Sequence, residues 1–283
     1  MNAFDDVTGK THRAYLWAYA AGAFEPLRAV VYDFTESKVG EHAPAFLGDW
    51  RGSLVCDDYT GYKASFALGV TEAGCMAHAR RKFVELLEAN KSTIAAAAIA
   101  LIGQLYGIER EVKLLSPPQR LHERRTRAAP IAKALHTWLL AQRGKITDGT
   151  ATAKAIDYSL NRWAALTRYL DDPALPIDNN HDEQQIRPWA TGRKNWLFAG
   201  TLLAGQRAAA VMSLIQSAKL NGHDPYTYLK DVLQRLPTPH SVPATSTSCC
   251  PTGGAPDGGT DGSAHPVRLR TLTGVIERGR GLR

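Results

Sequence analysis

The sequence predicts an α/β fold in which a small sheet is interrupted by a large helical insertion. Short apolar segments of strand length occupy the first 76 residues, whereas the next hundred or so follow an almost continuous helical pattern. A second helical pattern lies near the C-terminus, ahead of a Pro-, Gly-, Ser- and Thr-rich tail. We therefore expect five segments, at residues 1–76, 77–175, 176–207, 208–236 and 237–283.

The first segment carries the predicted strands. Tyr15, Trp17 and Tyr19 alternate within residues 13–20, which is typical of a strand. Residues 29–34 predict a second strand, and the intervening turn predicts that the two form a hairpin. A short helix at 41–47, a buried strand at 52–56 and a further strand at 71–76 follow.

The middle of the chain predicts helices at 94–112, 121–140 and 151–170, with Pro117-Pro118 as a break. An arginine cluster lies early in the second of these helices. We interpret it as a solvated face, and weak contact with phosphates is the alternative. The cluster consists of Arg120, Arg124, Arg125 and Arg127. Further helices are predicted at 208–220 and 224–236.

Composition favours a cytoplasmic protein with a polyanionic partner. The formal net charge is +7, and 44% of the residues are hydrophobic, which suits a globular body. Cys56 and Cys75 are isolated, so we expect them to be reduced and buried rather than disulfide-bonded. No apolar run is long enough to span a membrane, and no signal peptide is evident.

Residues 178–200 concentrate charged and amide side chains at helical spacing. Asp178, Asn179 and Asn180 are good N-cap residues, and Glu183 lies one turn before Arg187 on the same helix face. Pro188 is expected to end or kink this helix, ahead of a cationic turn at 192–195. The spacing alone is compatible with a metal or phosphate site, or with a capped surface helix.

Two further clusters could carry chemistry. Asp57 directly follows the buried strand at 52–56, and α/β sheets place functional side chains at that end of a strand. Asp58 is expected to be a turn residue. His78, Arg80 and Arg81 form a second cluster that could hold phosphates or could simply belong to a helix face.

These motifs resemble the transposases of insertion sequence 66. The similar stretches are Leu54-Val55-Cys56-Asp57-Asp58-Tyr59, Cys75-Met76-Ala77-His78-Ala79-Arg80-Arg81 and Asp178-Asn179-Asn180 with Glu183, Arg187-Pro188 and Gly192-Arg193-Lys194-Asn195-Trp196. They occur in the order of the family, and residues near 218–229 are similar to its C-terminal helical element. The resemblance covers roughly residues 10–236.

The resemblance implies a DDE transposase with a ribonuclease-H-like catalytic core. It implies that Asp57 and Glu183 are catalytic carboxylates that bind Mg²⁺, or Mn²⁺, during DNA cleavage and strand transfer. It also implies double-stranded DNA, as transposon ends and target, as the partner, with a homo-oligomer or other transposition proteins as further partners. The residues expected to contact DNA are His78, Arg80, Arg81, Arg187, Arg193 and Lys194.

One part of the family pattern is not found in the sequence. The first aspartate of such transposases lies in an Asp-Glu-Thr motif, on a strand before the hairpin, and Asp5 and Asp6 do not match it. We therefore expect a truncated, inactive transposase whose sheet lacks its first strand and leaves strand edges unpaired. A non-catalytic DNA-binding or transposase-interacting fragment, and a purely structural helical protein, are the alternatives.

The tail is expected to be disordered, because its composition cannot bury a core. Residues 248–256 can be encoded by DNA that, shifted by one base, reads as an ending similar to that of the family. Our hypothesis is a frameshift near residues 239–242.

Overall fold

The computed structural model describes residues 2–5, 10–192, 195, 199–236 and 269–277. The chain divides into two compact units. The first unit comprises residues 1–49 and 182–283, and the second comprises residues 50–181.

The first unit begins with two hairpins and a short helix. Strands β1 (Asn2–Asp5) and β2 (Lys10–Arg13) pair antiparallel. Strands β3 (Tyr15–Ala21) and β4 (Val30–Thr35) form the predicted hairpin, followed by helix α1 (His42–Leu47). Residues 16–21 of β3 are buried, so this strand runs through the core of its unit.

A strand from the tail lies on the other side of β3. Strand β7 (Thr271–Glu277) pairs antiparallel with β3, from Leu16 opposite Glu277 to Ala21 opposite Leu272. The carboxylate of Glu25 accepts hydrogen bonds from the backbone N–H groups of Arg270 and Thr271, at 3.1 and 2.8 Å. These bonds fix the start of β7.

This strand corrects two predictions. The tail was expected to be disordered, but residues 271–277 form β7; the rest of the predicted tail, including the frameshift position, lies outside the described residues. The edge of β3 was expected to be left unpaired by a missing strand, but β7 pairs with it in the first unit; strands β5 (Ser53–Cys56) and β6 (Thr71–Gly74) belong to the second unit. Local composition could not reveal a pairing between segments about 250 residues apart.

Three further helices of the first unit lie within the part of the chain that the structure describes. They are α9 (Asn180–Gly192), which crosses the boundary between the units, α10 (Leu202–Leu220) and α11 (Pro225–Arg235). Helix α10 packs on β4, where the hydroxyls of Ser217 and Ser213 accept hydrogen bonds from the N–H groups of Val30 and Tyr32. A Cβ on Gly205 would lie 2.3 Å from Phe34, so this close approach requires glycine.

Pro188 does not end α9, because the helix continues to Gly192; the predicted alternative, a kink at Pro188, stays a prediction. The following residue, Trp189, is buried against the ring of Tyr32, with ring centroids 5.8 Å apart. Packing of this kind offsets the loss of one backbone hydrogen bond at a proline. A turn follows, in which Asn195 N–H donates to the carbonyl of Gly192 at 2.8 Å.

The second unit contains a parallel strand pair and a helical body. Strands β5 and β6 pair in parallel from Ser53 opposite Thr71 to Cys56 opposite Gly74. The helices are α2 (Lys63–Ala67), α3 (Met76–Asn90), α4 (Thr93–Val112), α5 (Pro117–Glu123), α6 (Ala129–Arg143), α7 (Ala151–Asn161) and α8 (Trp163–Thr167). This body is the predicted helical middle, and Cys56 and Cys75 are free and buried, as predicted.

The arginine cluster is only partly a solvated face. Arg125 and Arg127 are exposed, but Arg120 and Arg124 are buried, which corrects the prediction for these two residues. Arg124 is bound by the carboxylate of Glu109, at 2.9 and 2.7 Å, and by two carbonyl oxygens. No helix among the described residues is both long and apolar enough to cross a bilayer.

Candidate functional site

Asp57 lies at the point where β5 leaves the core of the second unit. Leu54, Val55 and Cys56 are fully buried, whereas Asp57 is half-buried. Its Oδ1 accepts a hydrogen bond from the backbone N–H of Tyr59 at 3.1 Å. This Asx turn holds the carboxylate at the carboxyl end of the strand, where the sequence predicted it.

A polar cavity of about 360 Å³ surrounds this strand end. Carboxylates and cations share its wall, and they come from the β5 loop, α2, β6 and the end of α7. The charged lining residues are Asp57, Asp58, Lys63, Glu72 and Arg162. Sequence reasoning identified Asp57 but missed Glu72 and Arg162, which are more than ten residues away along the chain.

Arg162 organises the charges of this cavity. Its side chain is 8% exposed; it forms an ion pair with Glu72 and lies 3.7 Å from Asp58. Asp58 is thus an exposed loop residue with a charge partner, rather than a turn residue alone. Burial raises the pKa of the Cys56 thiol well above its ordinary value, so no thiolate competes with the carboxylates here.

The His78 cluster lies at the start of α3. The backbone N–H of Met76 donates to the carbonyl of Ile177 at 3.0 Å, which ties this helix start to the segment before α9. His78 is half-buried, whereas Arg80 and Arg81 are exposed. Arg80 and Arg81 line a second cavity together with Arg110 of α4, which sequence reasoning missed.

The Asp178 turn joins α4 to the start of α9. The hydroxyl of Tyr106 donates to Asp178 Oδ2 at 2.6 Å, and Asn180 donates from its backbone N–H and its Nδ2, at 3.1 and 2.8 Å. Burial and the neighbouring carboxylate together raise the pKa of Tyr106, so its hydroxyl remains a donor. Asp178 thus forms an Asx turn with Asn180, the first residue of the helix that carries Glu183.

Glu183 and Arg187 lie one helical turn apart on α9, in the first unit. Glu183 is half-buried and Arg187 is exposed, while Ile186 and Trp189 are buried. Arg193 and Lys194 lie outside the described residues. Asp57 belongs to the second unit, so a joint role of Asp57 and Glu183 stays a prediction.

The two predicted carboxylates supply oxygen donors for a metal ion. Asp57 and Glu183 offer the hard oxygen ligands that Mg²⁺ prefers. Oδ1 of Asp57, however, already accepts a backbone hydrogen bond. Among the described residues, no group of three or more His, Cys, Asp or Glu side chains is placed to hold a metal ion. Those residues therefore do not provide a complete ligand set.

Comparison with known proteins identifies relatives along most of the chain. The family model "Transposase IS66 family" matches residues 1–207, and "IS66 C-terminal element" matches residues 213–245. The uncharacterized proteins y4jD and y4hP of Sinorhizobium fredii are 37% and 33% identical to the chain over 240 and 243 residues.

The matched parts cover 80% and 78% of the chain but 47% and 44% of those two proteins, so the chain spans about half of their length. No solved structure matches the chain significantly. Since a family model covers well over half of the sequence, and a second one matches the segment that follows, the chain belongs to the IS66 transposase family.

Proposed function

We propose that this chain takes part in the transposition of a bacterial insertion sequence by binding double-stranded DNA at the transposon ends and at the target. The observation that carries the proposal is the position of Asp57, half-buried at the carboxyl end of β5, within a chain of this family. Asp57 lines a polar cavity at the strand end, a position that suits a carboxylate ligand in metal-assisted phosphoryl transfer.

Asp57 and Glu183 are proposed as the catalytic carboxylates of a ribonuclease-H-like DDE core. In this proposal they bind Mg²⁺ or Mn²⁺, and bound metal ions would stabilise the attacking and leaving oxygens of the phosphoryl displacement. His78, Arg80, Arg81 and Arg187 are proposed to offset phosphate charge, together with Arg193 and Lys194. A homo-oligomer, or other transposition proteins, would complete the assembly on DNA.

A second function is favoured by one observation. The described residues hold no group of three metal-binding side chains, and Glu72 is engaged by Arg162. A chain with only part of the ligand set would bind DNA without cutting it. The alternative is therefore a non-catalytic DNA-binding or transposase-interacting protein of the same family.

Asp57→Asn separates the two functions. We expect the wild-type chain to bind duplex DNA with an affinity that falls steeply with salt, and Asp57→Asn to bind at least as tightly, because it removes one negative charge. If the chain is catalytic, Mg²⁺-dependent nicking of DNA carrying the transposon ends falls at least a hundredfold in Asp57→Asn and in Glu183→Gln. Binding and nicking are measured on the same labelled duplex.

Asp49→Asn, which changes an exposed carboxylate outside the cavity, is the matched control. Salt-sensitive binding without nicking by any variant would select the non-catalytic function. Absence of binding at low salt would refute both functions.

A further inference from the structure

A cationic cavity of about 620 Å³ lies between α3 and α4. Arg80 and Arg81 of α3 and Arg110 of α4 contribute guanidinium groups to its lining. All three arginines are exposed. Guanidinium groups that line one concave surface make it attractive to an anion.

Gly103 lines the α4 side of this cavity, and Gly107 lies beside Arg110 on the same helix. A Cβ built at Gly103 would meet no described atom within 4 Å. Packing therefore does not require glycine there, although glycine within a helix costs about 1 kcal/mol relative to alanine. At Gly107, an added Cβ would lie 3.9 Å from Nη2 of Arg110, so the arginine folds back along the bare surface of the helix.

Hydrogen bonds to one carboxylate fix two of the residues that line the cavity. Tyr106 and Asn180 both line it, and both donate to the carboxylate of Asp178. That carboxylate accepts three hydrogen bonds in all, so its lone pairs are already engaged. Asp178 is thus bound by its neighbours, and the charged residues that line the cavity are the three arginines.

We propose that this cavity binds the phosphate backbone of a DNA strand, with Arg110 as a contact that the family motifs do not contain. The inference rests on the proposed DNA binding and assigns it a location. Arginine binds phosphate oxygens through two parallel N–H groups, and arginines on both α3 and α4 would contact the phosphates of the bound strand. Because Gly103 has no side chain, the surface of α4 leaves room there for the DNA strand.

Two variants test the site: one removes a charge from the cavity, and the other fills it with an apolar side chain. Arg110→Gln removes one phosphate contact, so the affinity for labelled duplex DNA should fall about tenfold and the slope of log K against log salt should decrease by about 1. Gly103→Leu fills the cavity without changing charge, so affinity should fall while the wild-type slope is retained as long as the phosphate contacts persist.

Lys133→Gln is the matched control, because Lys133 is exposed on α6, outside the cavity, and should leave both quantities unchanged. Thermal unfolding checks that each variant is folded. Leucine favours helix more than glycine does, so Gly103→Leu should melt no lower than the wild type.

The outcomes separate the inference from the proposed function. If the wild type binds DNA with steep salt dependence while Arg110→Gln and Gly103→Leu bind like Lys133→Gln, the cavity is not the site and DNA binding stands. If the wild type does not bind DNA at low salt, both fail. Thymidine monophosphate is titrated in a separate arm. If it competes with DNA at equal phosphate concentration, the cavity is a free-nucleotide site and the inference is wrong.

Discussion

Ending the chain after residue 268, which removes β7, is expected to destabilise the first unit by about 5 kcal/mol and to promote aggregation. Strand β7 pairs with six consecutive residues of β3, and Thr271, Leu272 and Thr273 are buried in this pairing. Its loss exposes the apolar surface of Leu272, worth about 2 kcal/mol, and leaves one edge of β3 without its partner. Urea-induced unfolding and light scattering measure the two effects.

A chain that ends after Glu277 is the matched control, because it retains β7. The pairing can also be attacked at one residue. A Cβ at Gly22 would lie 2.8 Å from Cβ and Cγ2 of Thr271, so Gly22→Val should cost about 2 kcal/mol through this clash. If the shorter chain and Gly22→Val both unfold at the wild-type urea concentration, β7 does not form in solution.

Replacing Arg124 with methionine is expected to destabilise the second unit by about 4 kcal/mol. The side chain of Arg124 is 0% exposed, and its guanidinium binds both oxygens of Glu109 as well as the carbonyls of Tyr169 and Asp172. Methionine fills much of the volume but leaves Glu109, whose side chain is 9% exposed, as a buried charge without its partner. Equilibrium unfolding in urea measures the change.

The double variant Arg124→Met with Glu109→Gln separates charge from packing. Neutralising the orphaned carboxylate should restore part of the lost stability, about 1–2 kcal/mol. Arg125→Met is the matched control, since this exposed neighbour makes one long ion pair, 3.8 Å from Asp171. Equal stability of Arg124→Met and Arg125→Met would contradict the buried position of Arg124.

The sequence predicts those elements of the fold whose local residue pattern agrees with the tertiary contacts that they make. The β3–β4 hairpin follows from alternating aromatic residues, and α11 follows from Asp224 and Pro225 at its start, where Asp224 accepts a hydrogen bond from Thr227 N–H at 2.8 Å. Both signals lie within a few residues of the structure that they specify.

The rest depended on partners far away in the sequence. Strand β7 contains threonine and glycine within a loop-like tail, and only its pairing with β3 makes it a strand. Arg124 was assigned to solvent because charged residues are rarely buried unless they are paired, and its partner Glu109 lies on another helix.

The candidate site shows the same limit. Asp57 could be located because it directly follows an apolar strand, and a family motif surrounds it. Arg110, Glu72 and Arg162 could not be located, because helix packing and, for Glu72, the pairing of β6 with β5 place them at the two cavities.

The central prediction is the one proposed above, that Asp57 and Glu183 both bind a divalent metal ion. Iron-mediated cleavage of the polypeptide tests it most directly: Fe²⁺ replaces Mg²⁺, and ascorbate with peroxide generates radicals that cut the backbone near the ion. We predict cuts near both residue 57 and residue 183, which excess Mg²⁺ suppresses and which are lost together in Asp57→Asn. Cuts near only one of the two residues, or cuts that persist in Asp57→Asn, would contradict it.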